Sequence, residues 1–66
     1  MQLIINDTPQ QFAQGLTVSQ LLEALKQPAL GVAVAVNAQV VSKSQWSQTR
    51  LQDADRITLF KVVAGG

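Results

Sequence analysis

The chain has 66 residues, 47% hydrophobic and 14% charged, with a net charge of +1 and neither cysteine nor histidine. One domain is the most that this length allows; the composition is too apolar for disorder, and with disulfides and the better zinc ligands missing the fold must hold by packing alone. The cations Lys26, Lys43, Arg50, Arg56 and Lys61 are scattered and no apolar run approaches the ~20 residues of a membrane helix, so neither nucleic acid nor membrane is an expected partner.

Residues 2–6 alternate as a strand does, with Leu3 and Ile5 on one face and Gln2, Ile4 and Asn6 on the other. Asn6-Asp7-Thr8-Pro9 is turn chemistry, after which residues 10–13 return as a second strand with Phe12 inward. Thr17 is a good helix N-cap, and Gln20 three residues on completes a capping box. Val18, Leu21, Leu22 and Leu25 then recur at i, i+3, i+4 and i+7, a single apolar stripe. Pro28 is expected to stop this helix, and Gly31 to help the chain turn. Residues 32–36 alternate valine with alanine, as a strand covered on its valine face would. Asn37-Ala38-Gln39 is a tight turn into a short strand at 40–41, and 42–48 is a polar loop or single 3₁₀ turn. Leu51 can plug the core before the turn Asp53-Ala54-Asp55, and residues 57–63 form the last strand.

One helix with one apolar stripe and a sheet with one apolar face must bury each other, which makes a two-layer α+β domain. The mixed sheet is expected to have four to five strands. The last strand has no local hairpin partner and is expected to insert beside the first. The domain spans residues 1–63, and 64–66 form a flexible C-terminal tail.

The inventory leaves little chemistry inside the domain. The usual general base and the thiol nucleophile are both missing, so an enzyme in its own right is not expected. Asp53 and Asp55 flank a turn and read as turn-formers, since a hard-cation site needs several converging oxygens. The informative feature is the end of the chain. Two of its four glycines are the last two residues, Gly65 and Gly66, a coincidence expected in roughly one protein in 200 at average glycine usage. A terminal Gly-Gly has no side chains to obstruct a narrow channel, and its carboxylate is unhindered. Such a carboxylate can attack the α-phosphate of ATP to give an acyl-adenylate, which then accepts sulfur or an amine.

From end to end the chain resembles the ubiquitin-like sulfur carriers of bacteria, within them the branch serving the thiamine pathway. The resemblance rests on the first strand into Asn6-Asp7, on Gly15-Leu16-Thr17-Val18, and on Val34-Ala35-Val36-Asn37. It continues through Val40-Val41, Gln45-Trp46, Leu51-Gln52-Asp53-Ala54-Asp55 and the closing Val62-Val63-Ala64-Gly65-Gly66. Two positions depart from the family pattern: Ala54, often glycine, and Ser42-Lys43, often Pro-Arg. The resemblance implies a ubiquitin-like β-grasp fold whose Gly66 is adenylated by an E1-like adenylyltransferase using ATP and Mg. The carrier itself binds no cofactor. A thiocarboxylate then forms with sulfur from a cysteine desulfurase persulfide, and thiazole synthase receives it. A cytoplasmic location and a monomeric free state are the matching expectations. Three alternatives remain at this stage: the small subunit of molybdopterin synthase, a ubiquitin-like modifier conjugated to lysines, and a non-covalent interaction domain.

Around the tail of Ala64, Gly65 and Gly66, the outward face of the last strand offers Phe60 and Val62. Ile4 shares that face on the first strand, so these three residues are expected to form one apolar docking patch. Lys61 is the cation placed to assist docking. Trp46 is expected to fold back over the edge of the small core rather than to anchor a ligand.

Overall fold

The computed structural model describes residues 1–27 and 31–61. In chain order these form β1 (Gln2–Ile5), β2 (Thr8–Gln11), α1 (Val18–Ala24), β3 (Val32–Val36), β4 (Gln39–Val41), a 3₁₀ turn at Lys43–Gln45, and β5 (Arg56–Lys61). The sheet has five strands in the order β2-β1-β5-β3-β4. Strand β5 inserts at the centre, parallel to β1 and antiparallel to β3. Its placement beside the first strand is the one expected from its lack of a local partner. Among the described residues no helix is long and apolar enough to cross a membrane.

The two hairpins share one turn chemistry. Asn6 and Asp7 have φ of 47° and 70°, and Asn37 and Ala38 have 51° and 69°. Positive φ at both central residues marks the type I′ turn, whose twist suits two antiparallel strands. Each turn is therefore only two residues long, with Ile5 opposite Thr8 and Val36 opposite Gln39. This corrects the expected second strand, which runs Thr8–Gln11 rather than over 10–13. Pro9 lies inside it, opposite Ile4, and is tolerated because β2 is an edge strand whose outer N–H groups need no partner. Phe12 follows the strand instead of belonging to it. It packs half-buried against the core, and its carbonyl accepts from the N-terminal ammonium at 2.6 Å.

The helix begins as expected and ends differently. Gln20 N–H donates to Thr17 Oγ1 at 3.2 Å and Thr17 N–H to Gln20 Oε1 at 3.0 Å, closing the capping box. The two remaining first-turn amides reach across the molecule: Val18 N–H donates to Thr49 O and Ser19 N–H to Trp46 O. The helix start thereby fixes the path of the long connection from β4 to β5. The stop lies before Pro28, which falls outside the described residues. Lys26 N–H donates to Glu23 O and Gln27 N–H to Leu22 O, with Lys26 at φ 56°. That pair of bonds around a left-handed residue is a Schellman motif, here built on lysine in place of the usual glycine. Gly31, at φ 76°, makes the turn expected of it.

The core lies between helix and sheet. Leu3 and Ile5 of β1, Val34 of β3 and Ile57 of β5 meet Val18, Leu21 and Leu22 of α1, with Trp46 and Leu51 closing one side. Trp46 is only 4% exposed and its Nε1 donates to Val41 O at 2.9 Å, the core-edge role expected of it.

Residues 52–55 form a tight turn fastened to the edge of β1. Ala54 N–H donates to Gln2 O at 2.7 Å and Gln2 N–H to Asp53 Oδ1 at 2.7 Å. Asp55 Oδ2 accepts from Gln52 N–H, and Asp55 Oδ1 from Asn37 Nδ2. Ala54 sits in this turn at φ 71°, where a Cβ is strained by ~1–2 kcal/mol. Replacing Ala54 with Gly should therefore stabilise the fold by up to about 1 kcal/mol, after the greater entropy of an unfolded glycine is subtracted. Thermal melts should show a higher midpoint for the variant. A lower one would contradict the strain.

Candidate functional site

The predicted site has two parts, the tail and the surface from which it departs. Val62, Ala64, Gly65 and Gly66 lie outside the described residues. Phe60 and Lys61 do not: they are the last described residues of β5, the central strand.

Strand alternation and register define the sheet face that the helix leaves uncovered. Ile57 and Leu59 point toward the helix with Val36 and Val34, their partners on β3. Arg56, Thr58 and Phe60 therefore point the other way, as do Ala33 and Ala35. Val40 pairs with Ala35 and belongs to the same open face. Phe60 is 49% exposed and Val40 76%. Between them lie only Ala33, Ala35 and Thr58, so two apolar ridges flank a low floor of small side chains.

Ile4 belongs to this face but not to this patch. Its parallel partner is Arg56, four residues before Phe60, a separation of about 13 Å along the strand. Arg56 also faces outward and is paired with Asp7 at 3.5 Å, so a charged pair stands beside Ile4. The expected continuity from Ile4 to Phe60 is therefore corrected: register, and not face, separates them. Val40 takes the place of Ile4, and it was missed because a three-residue turn at 37–39 leaves the facing of β4 undefined. A two-residue Asn37-Ala38 turn would have set it.

Lys61 pairs with Val32 and lies at the rim, toward the helix side. With Asn6, Gln27, Val32, Leu59 and Phe60 it lines a cleft of about 130 Å³. Sites for drug-sized ligands occupy ~300–1,000 Å³, so this cleft is smaller than those. Among the described residues no group of three or more acidic side chains is placed to hold a metal ion. The carboxylates of Asp53 and Asp55 are committed to the turn they were expected to form. No buried polar or charged residue occurs among the described residues. What it presents is a stem, an open apolar face, and a chain end.

Residues 3–66 match the model of the ThiS family. The chain is 50% identical to the sulfur carrier protein ThiS of Escherichia coli K12 over 66 residues, covering the full length of both. It is also 33% identical, over its whole length, to 20% of a thiazole synthase from Paramagnetospirillum magneticum. The crystal structure of the thiamine biosynthesis protein ThiS from Geobacter metallireducens superposes with a TM-score of 0.90 at 32% identity, covering all of both chains. The fold is thus the ubiquitin-like β-grasp.

A half-exposed Phe60 contributes little to the core. Phe60→Ala should cost less than about 1 kcal/mol of stability in urea unfolding, whereas Ile57→Ala, which opens a cavity at a fully buried site, should cost ~2–4 kcal/mol. A loss of ~3–5 kcal/mol at Phe60 would place that ring in the core instead.

Proposed function

The chain belongs to the ThiS family, and from that premise we propose that it carries sulfur for thiamine biosynthesis on the carboxylate of Gly66. It is a carrier, not an enzyme, and partner enzymes act on it. The observation that carries this reading is the 50% identity to a sulfur carrier across the full length of both chains. The inventory of the domain agrees: it offers a stem and a docking face but no internal chemistry.

In the proposed cycle the Gly66 carboxylate oxygen attacks the α-phosphate of ATP in an E1-like adenylyltransferase, with Mg held by that enzyme, and pyrophosphate leaves. The terminal sulfur of a cysteine desulfurase persulfide then bonds to the acyl carbon as AMP departs, giving an acyl disulfide. A thiol attacks the desulfurase sulfur of its S–S bond, releasing the thiocarboxylate and leaving a disulfide between that thiol and the desulfurase cysteine. Glycine at both final positions lets the main chain enter a narrow site without side chains to accommodate. Phe60 and Val40, with Lys61 at the rim, form the docking surface, and Val62 follows them in the sequence. Thiazole synthase is the proposed acceptor. The thiazole synthase that matches this chain over one fifth of its own length supports that pairing, because in it a carrier-like stretch and the synthase share one polypeptide. A role in molybdopterin synthesis or as a lysine-linked modifier draws no comparable support.

Removing Gly66 tests the reading. The tail has no apolar side chain beyond Ala64, so its last residue should add little to stability. Deletion should leave the melting temperature almost unchanged while ATP–pyrophosphate exchange by the adenylyltransferase disappears. The new carboxylate on Gly65 falls about 3.5 Å short, and ~1 Å of misplacement can cost 100-fold in an aligned displacement. Gly66→Ala keeps the length but crowds the carboxylate, and should dock yet be activated poorly. Normal adenylation of the truncated chain would sink the proposal.

A further inference from the structure

Strand β5 needs partners on both of its edges. Toward β3 it has them along its whole length, from Val36 opposite Ile57 to Val32 opposite Lys61. Toward β1 the ladder stops early. Ile4 N–H donates to Asp55 O, and Asn6 N–H to Ile57 O at 2.9 Å. The next rung would need a carbonyl of β1 to accept from Leu59, but the chain has by then entered the type I′ turn and left for β2. The side chain of Asn6 fills the gap: Leu59 N–H donates to Asn6 Oδ1 at 2.9 Å. One residue thus makes two bonds to β5, one from its backbone and one from its amide. Asn6 also lines the cleft beside Phe60 and Lys61, the last described residues of β5.

We propose that Asn6 is a positioning residue for the C-terminal carboxylate, closing the β1-side rung at Leu59 so that β5, the strand that leads toward Gly66, is held in a fixed direction. The inference rests on the carrier reading above. Gly66 lies five residues beyond Lys61 in the sequence, so the direction in which β5 is held bears on where its carboxylate is delivered, and an aligned attack on phosphorus tolerates little displacement. The residue type fits both demands. Asparagine accepts the positive φ of 47° that the turn requires, and it carries a short acceptor that returns to the neighbouring strand. Glycine would meet the first demand only, and aspartate would meet both.

That contrast supplies the test. Asn6→Gly keeps the turn and removes the acceptor, whereas Asn6→Asp keeps the turn and an acceptor. Amide hydrogen exchange should be about tenfold faster at Leu59 in the Gly variant, with Val34 unchanged, because one net hydrogen bond is lost locally. ATP–pyrophosphate exchange with the partner adenylyltransferase should fall at least about tenfold in kcat with little change in KM, since the open face that docks is intact. Asn6→Asp should restore both readouts. Adenylation at the wild-type rate by Asn6→Gly would overturn the proposal, as would unchanged Leu59 exchange or failure of the Asp variant to rescue. A wild-type chain that is never activated would overturn the carrier reading, and this inference with it.

Discussion

The last strand in the sequence is the central strand of the sheet, and the rest of the structure depends on that insertion. Until β5 enters between β1 and β3, the two hairpins share no hydrogen bond through the sheet and the helix has no continuous surface to cover. Ile57 then completes the floor on which Leu21 and Val18 pack, all of them buried. In a domain this small, which hides only ~60% of its unfolded surface, there is no second core to compensate. The same insertion settles which strand leads to the chain end. A tail that follows an edge strand would inherit the looseness of that edge. Here it follows a strand bonded on one side by β3 and on the other by β1 and the side chain of Asn6.

The two faces of the sheet divide the work. The inner face carries the large aliphatic side chains, and the valines of β3 alternate with alanines so that its outer face is low. Above that outer floor Phe60 and Val40 stand exposed, although a small domain gains nothing in stability from leaving them so. Strand packing therefore supplies stability, and the surface left over is the one to which the proposal assigns recognition. The chemistry is assigned to neither face but to a chain end with no side chains. This separation explains why the chain can lack histidine and cysteine, with no buried charge among the described residues, and still belong to the ThiS family.

Much of this was legible in the residues, for reasons that are local. The capping box of Thr17 and Gln20, the apolar stripe of α1 and the core-edge fold of Trp46 each follow from side chains within a few positions of one another. The misreadings share a different cause: they concern register, which is set by turns. Pro9 was taken for part of a turn, although at an edge strand it costs nothing, and β2 was displaced by two residues in consequence. Counting Asn37-Ala38-Gln39 as the turn hid the facing of Val40. Ile4 and Phe60 share a face by alternation, yet only the parallel pairing of Ile4 with Arg56 shows how far apart they lie. The helix stop was assigned to proline, the strongest breaker in the sequence, when a lysine in a left-handed conformation had already ended the helix. Nothing in the identity of Lys26 announces that role, whereas a glycine would have. The identification of the tail rests on composition and on kinship with a carrier family, since residues 62–66 lie outside the described structure.

The central claim, that Gly66 is where sulfur resides, is open to direct observation. The protein can be isolated from cells starved of thiamine and measured by intact mass spectrometry, then fragmented to place any modification. The account predicts a population heavier by the exchange of one oxygen for one sulfur, with the change confined to the C-terminal glycine and absent when thiamine is abundant. An unmodified carboxylate under both conditions, or sulfur found at any other residue, would contradict it.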